Sequence, residues 1–213
     1  MMRPYKIFYK KSCIFFERAK QTIEYKEKIG NTWEYKYITY SLISDIWKIW
    51  CLFCREVIIL SCSGTKTRNG ININARRADN TIQRISYEAN QARHGRIIRP
   101  NKKDIYIRQE PTWGDQYLLM QVIPALSPNN TNSLITGFGL DISAPKHIQI
   151  IRNYLAHSNV ESANEVKNIA QHYNIMQGSD QMDALSWVEP STASYAILYW
   201  LRDLESIASI VTN

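Results

Sequence analysis

The chain has 213 residues, which is enough for one domain of ordinary size. Apolar residues make up 45% and charged residues 21%, a balance that is typical of a folded globular protein and excludes a disordered chain. The formal net charge is +7, but it is uneven: residues 1–108 carry 22 Lys and Arg against 9 Asp and Glu, and residues 109–213 carry 4 against 10. A basic half of this kind indicates a polyanion-binding face, a solvated surface of mixed sign, or self-association of the two halves.

The first predicted element is a helix over residues 5–29. Phe8, Phe15, Ala19 and Ile23 are its best apolar stripe, with charged residues interleaved. Gly30 follows as a stop signal.

The next helix is predicted over residues 33–60 and is about 40 Å long at 1.5 Å per residue. It carries two apolar rows, which predict burial on two sides and a central position in a helical bundle or at a dimer interface. The rows are Trp33, Tyr37, Tyr40, Ser44, Trp47, Cys51, Cys54 and Ile58, and Ile38, Leu42, Ile46, Ile49, Phe53, Val57 and Leu60. Lys48, Arg55 and Glu56 interrupt the apolar residues, so we expect a buried helix and no membrane span.

The middle of the chain is predicted to be an irregular, basic insertion at about residues 64–112. Gly, Asn and Ser are frequent in residues 61–80, a short helix is predicted over 81–94, and residues 95–113 are predicted to form a loop. Its arginines are our candidates for contacts with the phosphate backbone of a nucleic acid: Arg76, Arg77, Arg84, Arg93, Arg96 and Arg99.

The second half of the chain is predicted to consist of helices joined by short turns. The predicted ranges are 114–126, part of 132–142, 145–157, 161–173 and 190–210. Ser143 and Pro145 are typical of the start of a helix, with Ser143 as the cap. Because strand-like alternation is weak throughout, the predicted fold class is all-α, in a single helical domain over the whole chain.

Four cysteines raise the question of a metal or redox site. Cys51 and Cys54 form a C-x-x-C pair, but it lies inside the long helix and no second ligand pair follows. We therefore interpret both as small core residues. Free thiols and an N-terminus without a secretory signal lead us to expect a cytoplasmic protein with no metal and no cofactor.

The residues that can carry chemistry are Arg152, Asn153 and His157. Asn153 and His157 are four residues apart and share one face of the predicted helix. Arg152 points about 140° away from His157 on an ideal helix, but its side chain is long enough to reach the same pocket. His147, His172 and His94 are interpreted as surface residues.

These three groups suit RNA cleavage without a metal. Imidazole can accept or donate a proton near neutral pH. A guanidinium group can stabilise the charge that develops on phosphoryl oxygens when a 2′-hydroxyl attacks phosphorus, and an amide can orient the phosphate. The expected products are a 2′,3′-cyclic phosphate and a 5′-hydroxyl. The spacing has a competing interpretation, in which His157 caps helix carbonyls and Arg152 forms a surface ion pair.

Arg152-Asn153-Tyr154-Leu155-Ala156-His157 resembles the R-x4–6-H signature of HEPN ribonucleases, especially in its Arg-Asn-x-x-x-His form. The flanking residues 134–139, the helix beginning at Pro145 and a following helix with residues 163–170 are similar to that family too, so the resemblance covers about residues 130–175.

The resemblance implies a HEPN-like helical bundle that forms a homodimer, in which two Arg/His motifs meet in one composite active site. It implies an endoribonuclease that acts as a toxin or phage-defence effector, held in check by an inhibitory antitoxin or a sensor protein. Some HEPN toxins carry a tyrosine that a partner enzyme modifies two residues after the histidine, and Asn159 stands there in this chain. The alternative is a non-catalytic helical module that binds nucleic acid or a protein partner, and a metal nuclease is disfavoured because the acidic residues are not clustered at ligand spacing.

Overall fold

A computed structural model describes residues 1–96 and 109–213, and helices dominate those residues. The predicted all-α class is therefore confirmed. The helices are α1 (Met2–Ile29), α2 (Trp33–Ser63), α3 (Ile82–Arg93), α4 (Gln116–Leu126), α5 (Thr131–Phe138), α6 (Ala144–His157), α7 (Val160–Ala170) and α8 (Ala196–Thr212).

Two small antiparallel ribbons accompany the helices and were not predicted. In the first, β1 (Thr65–Lys66) pairs with β2 (Asn72–Ile73). In the second, β3 (Asn174–Ile175) pairs with β4 (Trp187–Val188), which follows a single 3₁₀ turn. Strands of two residues are too short to show an alternating pattern in the sequence.

The chain divides into two compact units. Unit one comprises Met1–Phe8, Trp50–Asp141 and Ser206–Asn213, and unit two comprises Tyr9–Ile49 and Ile142–Glu205. Unit one contains the arginine-rich insertion, and unit two contains the Arg/His motif. The single helical domain expected for the whole chain stays a prediction.

The core of unit one is aromatic. The Phe8 ring lies 4.8 Å from that of Phe53 and 5.8 Å from that of Trp50. Trp50 also contacts Phe138 edge to face, and its indole nitrogen donates a hydrogen bond of 3.1 Å to the Gly114 carbonyl oxygen. The polar tip of a fully buried tryptophan is thereby satisfied, as burial requires. Around this core α3 packs against α4, and α4 packs against α5.

The predicted burial of apolar residues is confirmed for α1 and only partly for α2. Phe8, Phe15, Ala19 and Ile23 of α1 are all buried, which confirms the stripe predicted for that helix. In the second half of α2 the residues of both rows are buried or half-buried, but the first turns differ. Trp33 is 73% exposed and Tyr37 is 66% exposed, so burial on two sides does not extend to the start of α2.

A buried aromatic cluster forms part of the core of unit two. Tyr173, Trp187 and Trp200 pack face to face or edge to face at centroid distances of 5.3–6.1 Å. His147 belongs to this cluster and is 8% exposed, so its interpretation as a surface residue was wrong. Its Nδ1 atom lies 2.5 Å from the Tyr173 hydroxyl oxygen, which also accepts the indole N–H of Trp200 at 2.9 Å. Tyr173 and Trp200 lie outside α6, so the periodicity of that helix could not predict the burial of His147.

We expect His147 to make the stability of the protein depend on pH. Burial, and then the nearby His172 and Lys146, lower its pKa from 6.5 to about 4. The folded protein therefore favours the neutral ring, and this contribution is complete above pH 6.5 and is lost as the pH falls from 6.5 towards 4. Replacing His147 by glutamine should flatten the dependence of the unfolding free energy on pH in that range, as measured by urea denaturation.

The exposed His172 provides the control for this experiment. The His172→Gln variant should keep most of the pH dependence of the parent protein. Parallel pH profiles for the parent and His147→Gln would show that His147 is not the responsible group.

Among the described residues no helix combines the length and the apolar character that crossing a bilayer requires.

Candidate functional site

The helix that carries the motif begins and ends close to its predicted bounds. The prediction was 145–157 and α6 spans Ala144–His157. Pro145 lies in its first turn, where a missing N–H costs nothing. Ser143 is the N-cap residue, as predicted, but its side chain makes no capping hydrogen bond. At the other end Ser158 adopts the left-handed conformation, with φ of 46°, which stops the helix directly after His157.

Burial decreases along α6 from its start to its end. Ile148 and Ile151 are buried and anchor the first three turns in unit two. Arg152 and Asn153 are half-buried, and His157 is exposed. The three polar groups of the motif thus lie where an anchored helix emerges into solvent.

The side chains of Arg152 and Asn153 contact each other. Nη1 of Arg152 donates a hydrogen bond of 3.3 Å to Oδ1 of Asn153. Asn153 and His157 share a helix face because they are one turn apart. The guanidinium group is therefore turned towards the face of Asn153 and His157, despite the angle of about 140° that separates the backbone positions of Arg152 and His157. This bond leaves the NH₂ group of Asn153 available as a donor.

The arginines of unit one differ in their availability to a polyanion. Arg76 has a side chain that is 3% exposed and lies 2.5 Å from Oε2 of the fully buried Glu88. Arg84 is 11% exposed and contacts Glu88 at 3.2 Å and Asp79 at 3.0 Å. Both guanidinium groups are committed to internal carboxylates, because a buried charge requires a partner of opposite sign. Their sequence-based interpretation as surface contacts for phosphate does not fit this geometry.

Three of the other predicted RNA-contacting arginines are more accessible to solvent. Arg77 also contacts Glu88, at 2.9 Å, but its side chain is 45% exposed. Arg93 and Arg96 are exposed at the end of α3. Arg99 lies outside the described residues.

Unit two contains a cavity of 180 Å³ that was not predicted. Three segments line it: residues 31–39, the last turn of α6 and residues 180–183. Its lining includes Asn31, Tyr35, Thr39, Tyr154, Asp180 and Asp183. Tyr35 and Asp183 are hydrogen-bonded although 148 positions separate them in the chain, and no local spacing signals a pair so distant.

One wall of this cavity is a hydrogen-bonded cluster around Asp183. The Tyr35 hydroxyl donates to its carboxylate, at 2.8 Å from Oδ1, and Lys26 Nζ lies 2.6 Å from Oδ2. Lys26 also donates to Ser179 Oγ at 2.9 Å. Burial and the adjacent Asp183 carboxylate raise the pKa of Tyr35, so its phenol stays protonated and holds this arrangement.

The cysteines are free thiols. Cys54 is fully buried and Cys51 is half-buried, which agrees with their interpretation as core residues. Burial raises the pKa of Cys62 to about 11, so this thiol is protonated at neutral pH. In residues 1–96 and 109–213 no group of three or more His, Cys, Asp or Glu side chains is arranged to hold a metal ion.

The chain was compared with protein families, with curated proteins and with solved structures. No family model matches the sequence, and neither a curated protein nor a solved structure matches it.

Proposed function

We propose that the protein is a HEPN-type endoribonuclease that cleaves RNA without a metal ion, with Arg152, Asn153 and His157 as its catalytic residues. The observation that carries the proposal is the Arg152–Asn153 hydrogen bond at the end of α6 where His157 is exposed. A cation, an amide and an imidazole are thereby offered to one ligand from an anchored helix. Positioned groups of this kind are what phosphoryl transfer requires, because its transition state is stabilised mainly by geometry and charge.

The reaction follows from the chemistry of these groups. The 2′-oxygen of a ribose forms a bond to the adjacent phosphorus, and the bond between phosphorus and the 5′-oxygen breaks. His157 accepts the proton of the 2′-hydroxyl, and a second acid gives a proton to the departing 5′-oxygen. Arg152 binds the phosphoryl oxygens with two donors, and the NH₂ group of Asn153 orients the phosphate.

A homodimer with a composite site supplies the second acid. Two copies of α6 that meet across an interface bring two His157 side chains to one phosphate, so that one acts as the base and the other as the acid. The proposal includes this dimer, a role as a toxin or defence effector in the cytoplasm, and an antitoxin or sensor that restrains the activity. Arg77, Arg93 and Arg96 are the arginines whose exposure fits contacts with the RNA backbone.

The test is cleavage of a single-stranded RNA by the purified chain in the presence of EDTA. Mass spectrometry of the products should find 2′,3′-cyclic phosphate and 5′-hydroxyl ends. An RNA with a 2′-deoxyribose on the 5′ side of the cleaved bond should remain intact, because it lacks the attacking hydroxyl.

Two other outcomes separate the alternatives. Binding of RNA without cleavage would support the non-catalytic binding module in place of the nuclease. Cleavage that requires a divalent ion and leaves a 5′-phosphate would contradict the proposed mechanism.

A further inference from the structure

Two segments of unit one carry exposed basic and apolar side chains together. They are the first two turns of α1 and the ribbon of β1 and β2, within residues 1–8 and 63–73. These two ranges contain four Lys and Arg residues and no Asp or Glu. The exposed side chains of the two segments that matter here form the α1–ribbon face: Met2, Arg3, Lys6, Ile7, Lys66 and Ile71.

The ribbon is fixed to the start of α1. The main-chain nitrogen of Met1 donates a hydrogen bond of 2.6 Å to the carbonyl oxygen of Lys66. The guanidinium group of Arg68 lies 3.6 Å from the centre of the Tyr5 ring, and it also donates a hydrogen bond of 3.1 Å to Oγ of Ser209. The ribbon and the first turns of α1 therefore form one continuous surface.

Ile71 extends from the turn of the ribbon and is 63% exposed. Its main chain is held on both sides by Thr67, whose N–H donates to the Ile71 carbonyl oxygen at 2.9 Å and whose Oγ1 accepts the Ile71 N–H at 3.2 Å. Gly70 completes the turn with a φ of 84°, in the left-handed region that favours glycine. A large apolar side chain is thus presented to solvent from an ordered backbone.

On the first two turns of α1 the basic side chains lie between two apolar ones. With 3.6 residues per turn, the order around the helix axis is Met2, Lys6, Arg3 and Ile7. Met2 is 44% exposed and Ile7 is 43% exposed. Single exposed apolar side chains are ordinary on a protein surface, but these flank a pair of cations.

A bilayer with anionic phospholipids matches both kinds of side chain. At such a surface apolar side chains enter the boundary between headgroups and acyl chains, while Lys and Arg remain level with the phosphates. The phosphates of RNA would pair with the cations but would give the apolar side chains of the α1–ribbon face no burial. The observations therefore favour a membrane surface over RNA as the partner of this face.

The charge of the face is complementary to such a membrane. Arg3, Lys6 and Lys66 are all exposed. Glu56 is the carboxylate whose charge acts on the Met1 nitrogen, and it is half-buried in α2. One half-buried carboxylate does not offset three exposed cations, so the face is attracted to anionic headgroups.

We propose that the α1–ribbon face binds the surface of a membrane that contains anionic phospholipids, with Ile71 inserted below the headgroups and Arg3, Lys6 and Lys66 at the phosphates. The inference does not depend on the proposed ribonuclease function. The association is reversible, because a basic patch with a few apolar side chains buries far less apolar surface than a helix that spans the bilayer.

The first experiment is sedimentation of the purified chain with lipid vesicles. One set of vesicles contains phosphatidylcholine alone, and the other contains equal parts of phosphatidylcholine and phosphatidylserine. The parent should bind the mixed vesicles at least about tenfold more strongly, since each Lys or Arg near an anionic surface raises the affinity about fivefold. Added salt should weaken this binding. Equal affinity for both vesicles, or no binding to either, would overturn the inference.

Variants of the face and matched controls locate the binding. Lys6→Gln and Lys66→Gln should each weaken binding to the mixed vesicles about fivefold, and Ile71→Ser about tenfold, because it removes the inserted side chain. Arg93→Gln and Ile82→Ser remove an exposed cation and an exposed isoleucine of α3 in the same unit, and should change the affinity less than about twofold. All five side chains are exposed, so the melting temperatures should match that of the parent. Equal losses in the face variants and in the controls would mean diffuse attraction by net charge and would contradict the assignment.

A second experiment tests insertion directly. In Trp33→Phe the remaining five tryptophans are each no more than 7% exposed, so a further Ile71→Trp substitution supplies the exposed indole. Its fluorescence should be quenched by mixed vesicles whose acyl chains carry bromine, and an unquenched signal would contradict insertion at this position. If Lys6→Gln weakened the binding of RNA while the parent ignored the vesicles, the face would belong to RNA and the inference would be wrong.

Discussion

Replacing His157 by alanine is expected to lower the rate of RNA cleavage by about 10²–10⁴-fold, the usual contribution of a general acid–base group. If a dimer shares one site, the substitution removes the base and the acid together, and the loss lies at the upper end of this range. The measurement is the single-turnover rate on a labelled single-stranded RNA in EDTA. Because His157 is exposed at the end of α6, the variant should retain the melting temperature of the parent.

Arg152→Ala should lower the same rate by about 10²–10³-fold, since it removes the charge that stabilises the phosphoryl oxygens. Arg152→Lys keeps the charge but loses the paired donors, so it should recover only part of the rate. His172→Ala and Lys167→Ala change an exposed histidine and an exposed lysine of unit two outside α6, and both should cleave as the parent does. Full activity in His157→Ala would show that α6 does not carry the active site.

A large loss of stability is expected when Glu88 is replaced by alanine. Glu88 is fully buried and its carboxylate contacts Arg76, Arg77 and Arg84. The substitution leaves the guanidinium group of Arg76, which is 3% exposed, without its counter-charge. Breaking a buried ion pair from one side typically costs about 3–5 kcal/mol. The quantity to measure is the free energy of unfolding in urea.

Two further variants serve as controls for Glu88→Ala. Glu161→Ala removes an exposed carboxylate in the first turn of α7 and should change stability by less than about 1 kcal/mol. Replacing Arg76 and Glu88 together by methionine removes both buried charges, and this double variant should recover much of the loss. A stable Glu88→Ala protein would mean that the arginines rearrange towards solvent without cost.

The fold was predictable where local spacing decides the structure. The apolar stripe from Phe8 to Ile23 placed α1 within three residues, and the Ala-Pro start and the Arg-to-His stretch placed α6 within one residue. Arg84 and Glu88 are four residues apart on one helix, and this spacing predicts the ion pair that they form. Arg84 was predicted as a surface charge, although this ion pair keeps its side chain only 11% exposed.

The remaining features depend on partners that are distant in the sequence. His147 can be buried because the hydroxyl group of Tyr173, 26 residues away, pairs with its ring nitrogen. Arg76 can be buried because Glu88 and the Leu126 carbonyl oxygen accept hydrogen bonds from its guanidinium group or pair with its charge. Periodicity assigns a residue to a face of its own helix but does not identify what covers that face. The cavity beside Tyr154 combines three separate segments, which is why no single stretch of sequence indicated it.

The exposure of Trp33 gives the protein an optical reporter at the start of α2. Of its six tryptophans, Trp33 is 73% exposed, whereas the other five are each no more than 7% exposed. Iodide in solution should therefore quench the fluorescence of Trp33 selectively, and Trp33→Phe should abolish the quenchable fraction. Because Trp33 is the first residue of α2, its emission reports on the solvent exposure of that end of the helix without any attached dye.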